Sequence, residues 1–266
     1  MPPNKIRSYP ELSERIADLA GTVEGVELRL LGKVRSGPTL YPFWALTTPN
    51  EPGRKRVCLS GGIHGDEPAG VEGVLGALET LRKEPALIER FHFTFFPCIN
   101  PFGYEHHTRE NGSKIDLNRR FIRKRPPSEV RFVKEFLEGK RFDVSIEFHE
   151  DIDTPGFYLY ELCDIPGGAV GAEIIRQVAE RYPVNLRDEI EGAPAKGGII
   201  SPDLASPFFK KRIERRRQWP QAIYLYKQGV PHTITSETPV HLDMRDRARM
   251  HLIVLKTALE GLEKRR

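Results

Sequence analysis

A mixed, doubly wound α/β sheet flanked by helices, built as one domain over residues 1–266, is the fold this sequence predicts. Three observations point to it. Short apolar runs rich in β-branched and aromatic residues alternate with stretches of helical period, as in sheets wound on both faces. The first two such runs are joined only by the turn Ser36-Gly37-Pro38, so they should pair as a hairpin and make the sheet mixed. No repeat, low-complexity tract or linker interrupts the chain, and its length can bury a substantial core.

Taken in order, residues 9–20 place Leu12, Ile16 and Leu19 at helical spacing. Residues 26–31 and 43–47 read as the hairpin strands, and 56–60 as a buried strand. Over 66–83, Val71, Val74, Leu75, Leu78 and Leu81 form one stripe, the mark of an amphipathic helix. Residues 91–98 are aromatic and alternating, hence a strand. The stretch 104–124 has no periodicity and is rich in His, Arg, Asn and Asp; a loop of that length in a compact domain is usually functional. Helix returns over 128–139, strand over 142–148 and 157–162, and helix over 168–182. Residues 183–221 are punctuated by Pro and Gly and give no clear assignment. A short strand at 233–236 and a helix over 242–264 complete the chain.

The apolar content of 39% and charged content of 29% are those of an ordinary globular protein. No apolar run nears the roughly 20 residues needed to span a bilayer, so no membrane span is expected. The start, Met1-Pro2-Pro3-Asn4-Lys5, has no apolar core for a signal peptide, which makes the cytoplasm the expected address. Three cysteines lack metal-ligand spacing, and Cys58 and Cys98 lie in apolar runs as buried thiols. The net charge of +4 slightly favours small anionic substrates and is far from a nucleic-acid-binding composition. The strongest case for a polyanion surface is the run Lys210-Lys211-Arg212-Ile213-Glu214-Arg215-Arg216-Arg217, although most such runs are solvated helix faces.

The chemistry gathers at strand ends. The run 56–60 ends in Gly61-Gly62, followed by His64 and Glu67. Glycines let the chain turn sharply, and an i, i+3 pair in a first helical turn faces one side. An imidazole and a carboxylate so placed are two of the three protein ligands of a catalytic zinc site. His149 follows a predicted strand and is the natural third ligand; Glu237 follows another and is then free to act as a base on metal-activated water. In open α/β sheets, ligands bind beyond the carboxyl ends of the strands, so these segments can converge. The loop adds Arg109, Asp116, Asn118, Arg119 and Arg120, and arginine suits both a carboxylate and a developing oxyanion. A second His-x-x-Glu pair, His107/Glu110, has no strand end or glycine turn to present it.

These residues resemble the zinc metallocarboxypeptidases, with the related succinylglutamate desuccinylase/aspartoacylase group. The likeness rests on Gly62-Ile63-His64-Gly65-Asp66-Glu67, Asn100-Pro101-Phe102-Gly103-Tyr104, Asp116-Leu117-Asn118-Arg119-Arg120-Phe121, His149 and Thr235-Ser236-Glu237. It implies a carboxypeptidase-like fold and one zinc bound by His64, Glu67 and His149. It further implies Glu237 as general base and acid, Arg109 polarising the scissile carbonyl, and Asn118 with Arg119 gripping the substrate's free carboxylate. Asp116 would orient His64.

Two departures stand out. The family's substrate-capping tyrosine has no clear counterpart, since Tyr224 and Tyr226 lie too close to Glu237 in sequence. Glu150 and Asp151 follow His149 and suggest a more acidic entrance, favouring substrates with a nearby positive charge. The residues after Glu237 read as a single helix, without the added β domain of aspartoacylase-type enzymes. The expected activity is therefore zinc-dependent cleavage of a C-terminal peptide or amide bond. The alternatives are hydrolysis of an N-acyl amino acid and, outside the enzymes, polyanion binding by the 210–217 run.

Overall fold

The computed structural model describes residues 7–265, with Phe208, Arg212 and Glu214 described in backbone only. Residues 1–6, where a leader pattern was not expected, and Arg266 lie outside the described residues. The elements run α1 (Tyr9–Thr22), β1 (Glu27–Ser36), β2 (Thr39–Thr47), β3 (Lys55–Gly61), α2 (Pro68–Lys83), α3 (Ala86–Arg90), β4 (Phe91–Phe96), α4 (Pro101–His106), α5 (Ser128–Leu137), β5 (Val144–Asp151), β6 (Tyr158–Cys163), α6 (Gly171–Ala179), β7 (Glu189–Ile190), β8 (Ala193–Pro194), β9 (Ile199–Ile200), α7 (Pro207–Phe209), α8 (Gln221–Lys227), β10 (His232–Pro239) and α9 (Met244–Lys264).

Eight strands form one sheet in the order β1-β2-β4-β3-β5-β10-β6-β9, and β7 with β8 makes a separate small hairpin. The inner strands β4, β3, β5 and β10 are parallel, while β2 joins β4 antiparallel and β6 joins β10 antiparallel. The sheet is therefore mixed, and β1–β2 is the expected hairpin. Helices cover both faces. Trp44 Nε1 donates to Ser13 Oγ of α1 on one side, and on the other Phe43 of β2 packs its ring 5.5 Å from that of Phe132 of α5.

Burial explains one departure from the sequence pattern. Every residue of β4 is buried, so Phe91, Phe93, Phe95 and Phe96 fill both faces rather than alternating with solvent-facing positions. A parallel strand covered on both sides reads as a continuous apolar run.

From β3 the chain crosses by α2 to β4 on one side, then returns by α5 to β5 on the other. That reversal opens a crevice beyond the carboxyl ends of β3 and β5. Two glycines shape the turn leading into it. Gly62 has φ +61°, which favours a residue without Cβ. Gly65 lies against the backbone of Gly103 and Tyr104, where a Cβ would fall 1.9 Å from the Gly103 carbonyl carbon. The strand-to-helix turn after β3 is thus fixed directly on α4.

Candidate active site

His64, Glu67 and His149 converge in the crevice, and one ligating atom from each lies within 4.8 Å of the others. All three are buried. Glu67 is the hub: its Oε1 lies 2.6 Å from His64 Nδ1 and its Oε2 lies 2.8 Å from His149 Nδ1. Both imidazoles therefore present Nδ1 to one spot. Two nitrogens and a carboxylate oxygen are a donor set that suits a dication such as zinc. Among the described residues, no other His/Cys/Asp/Glu group clusters this way.

The far nitrogens of the two rings are also held. His64 Nε2 lies 3.3 Å from Asp116 Oδ1, while His149 Nε2 is 3.5 Å from Asn118 Nδ2 and 3.8 Å from Glu147 Oε2. The two carboxylates, Asp116 and Glu147, can accept a ring N–H, which sets ring orientation and raises ligand basicity. Burial alone would raise the pKa of Glu67, but His64 and His149 hold it well below the usual carboxylate range. Asp116 is lowered likewise, its own desolvation outweighed by His64 and by two arginines, Arg119 and Arg109.

His149 and Glu237 sit inside their strands rather than past the ends, because β5 runs on to Asp151 and β10 to Pro239. Glu237 faces His149 in the parallel register of β10 and β5. Tyr158, the antiparallel partner of Glu237, donates through its hydroxyl to Asp151 Oδ2 at 3.0 Å. Glu237 is only partly covered, yet desolvation of its carboxyl pushes its pKa up to about 8, with Glu67, Asp151 and Glu191 adding to the rise and His149 opposing it. A carboxyl so placed can hold and release a proton near neutrality. It does not cap α9, whose N-cap position is Asp243.

The loop residues reach the same place. Arg109 donates Nη1 to Glu67 Oε1 at 3.2 Å and Nε to Asp116 Oδ2 at 3.3 Å. Asn100 explains how: its Oδ1 caps α4 at Gly103 N, and its Nδ2 donates to the Arg109 carbonyl. Asn118 is buried, and its Oδ1 accepts from Gln221 N at the start of α8. Arg119 donates to the Asn118 carbonyl.

Other expectations change. Glu150 does not form an acidic entrance. It is buried on the opposite face of β5, accepts from Ala69 N at the start of α2 and pairs with Arg247. Alternation along a strand forces this, since Glu150 must point away from His149. His107 bonds to Arg7 and takes no part in the metal cluster. Tyr224 packs on Phe121, and Tyr226 donates to Asp164. In the basic run, Lys210, Lys211 and Arg215–Arg217 are exposed. The sequence reading passed over Glu147, although strand period places it on the face of His149, and over Arg7, for which no local signal exists.

Similar proteins share the fold and point to one family. Carboxypeptidase SOL1 of Arabidopsis thaliana is 28% identical over 140 residues, 45% of this chain and 28% of that protein. The chain spans less than a third of the length of the curated relatives it matches. In fold, it superposes with TM-score 0.78 on a protein of Shewanella denitrificans OS217 assigned to the metallopeptidases, at 20% identity over 94% of this chain and 88% of that one. A metallo-carboxypeptidase from Burkholderia cenocepacia gives 0.70 at 18% identity, covering 95% and 69%. The zinc carboxypeptidase family itself matches residues 4–153. That span carries the His64–Glu67 turn, the Arg109 loop and His149 together, and this chain belongs to the zinc carboxypeptidase family.

Proposed function

We propose that the protein is a zinc-dependent carboxypeptidase that releases the C-terminal residue of a peptide. The observation that carries this reading is the meeting of His64, Glu67 and His149, one ligating atom of each within 4.8 Å of the others, with Glu237 in register beside His149. His64, Glu67 and His149 would hold the zinc ion, which supplies Lewis acidity to activate water and polarise the scissile carbonyl. Glu237 takes the proton of the attacking water and returns it to the leaving amine. Its raised pKa supports that use. Arg109, already within reach of Glu67, stabilises the oxyanion. Arg119 and Asn118 fix the substrate's free carboxylate, for which the planar guanidinium gives two parallel bonds. Asp116 keeps His64 oriented and neutralises Arg109 between turnovers.

The test is a panel of short peptides beside N-acetyl and N-succinyl amino acids, assayed with and without chelator and alongside metal analysis. Carboxypeptidase activity lost on chelation and restored by zinc is expected. Cleavage of the N-acyl amino acids alone would move the assignment to an amidohydrolase. Turnover indifferent to chelator would remove the metal from it.

A further inference from the structure

Arg7 stands just before α1, more than fifty residues from any site residue, and its guanidinium reaches both loops that build the site. Nη1 donates to the carbonyl oxygen of Gly65 at 2.8 Å, the residue after His64. Nε and Nη2 lie 3.0 and 2.6 Å from His107 Nδ1, two residues before Arg109. The guanidinium carbon also sits 5.1 Å from the centre of the Tyr104 ring, in cation–π range.

The base of this arm is fixed. Ser8 accepts from Glu11 N to cap α1, Tyr9 is buried and donates its hydroxyl to the Pro42 carbonyl, and Arg15 makes a two-bond pair with Glu72 of α2. At the other end, His107 is the C-cap of α4 with φ 57°, a left-handed conformation that a histidine adopts at some cost. Backbone carbonyl and imidazole are thus clamped by one rigid, planar donor group, which a lysine could not reproduce.

We infer that Arg7 is a positioning residue that locks the His64 turn and the Arg109 loop in one relative placement, so that the N-terminal arm is a working part of the active site. It touches neither the ligand atoms nor the substrate; it acts through Gly65 and His107. The inference rests on the carboxypeptidase reading above, and the two halves of the clamp have separate signatures. Loss of the Gly65 bond loosens His64 and should weaken metal binding. Loss of the His107 bond frees only the Arg109 loop and should lower kcat while leaving metal affinity unchanged.

The experiment compares the wild type with Arg7→Met, Arg7→Lys, His107→Ala and the Arg7→Met/His107→Ala double variant. Zinc affinity is measured by chelator competition, the visible spectrum is taken on cobalt-loaded protein, and kcat and KM are determined separately. Outer-shell partners of metal ligands are typically worth about 10–100-fold in affinity or activity. Arg7→Met should therefore lose about ten-fold in zinc affinity, with a shifted cobalt spectrum, and Arg7→Lys should recover part of the loss. His107→Ala, a change at a partly exposed residue, should lower kcat alone, and its effect should be absorbed in the double variant rather than added. Zinc affinity and cobalt spectrum unchanged in Arg7→Met, or additive losses in the double variant, would overturn the clamp while leaving the carboxypeptidase reading intact. A wild type that takes up no metal overturns both.

Discussion

His149 on β5 and Glu237 on β10 are register partners in adjacent parallel strands, so their side chains leave the same face of the sheet at the same height. One side chain is a metal-ligand candidate and the other a carboxyl whose pKa desolvation raises to about 8. Replacing Glu237 by Gln keeps the shape and removes the proton chemistry. Glu237→Gln should bind zinc at wild-type stoichiometry and lose about 10²–10⁴-fold in kcat. Near-normal turnover in that variant would strip Glu237 of its role.

Metal should bind the folded chain only, because the three donors come from β5 and the turn after β3. Zinc at a thousand times its dissociation constant would then stabilise the fold by about 4 kcal/mol. Thermal melts with and without zinc should show this rise in the wild type and not in His149→Ala. An equal rise in both would place the ion elsewhere.

Glu150 is buried against Arg247, and desolvation raises its pKa to about 7 even though Arg247 pulls the other way. Arg247→Met leaves that carboxylate without its partner, a change that typically costs about 3–5 kcal/mol. The pH dependence has a definite sign. A carboxyl whose pKa is raised on folding takes up protons relative to the unfolded chain, so its penalty is absent below the unfolded value and grows as pH rises towards the folded one. Urea unfolding should show Arg247→Met most damaged at pH 8 and partly restored at pH 5.5. A deficit constant with pH would contradict the buried charge.

His251 tests burial from the other direction. It stacks on Phe148, with ring centres 4.4 Å apart, and its Nδ1 lies 2.8 Å from Ser236 Oγ. Desolvation lowers its pKa to about 3. The unfolded chain then binds the proton first, and stability falls as pH drops below about 6.5. The difference in unfolding free energy between wild type and His251→Gln should shrink by about 1.4 kcal/mol per pH unit between pH 6 and 4. Parallel curves would mean that His251 charges freely inside the fold.

Most of the fold is legible in the sequence because each long helix carries its own period and each inner strand a short, nearly continuous apolar run. Val71, Val74, Leu75, Leu78 and Leu81 face the core of α2 as their spacing requires. The candidate metal donors are legible for another reason: His64 and Glu67 follow the end of buried β3 and His149 lies near the end of buried β5, where polar groups need a purpose. What stays hidden depends on distance along the chain. Arg7 meets His107 a hundred positions away, and Glu150 meets Arg247 ninety-seven away, so neither contact leaves a local trace. The hairpin β7–β8 is two residues per strand, too short for any alternation to register.

The contact of Gly65 on Gly103 governs how this site can vary. With backbone resting on backbone, no side chain separates the His64–Glu67 turn from the root of the loop that carries Arg109. Exposed positions of that loop such as Glu110, Ser113 and Lys114 can change outward from that hinge, whereas Arg109, Asp116 and Asn118 are tied to Glu67, His64 and His149. Variation is thereby steered to the exposed rim while the His64–Glu67 turn stays as it was.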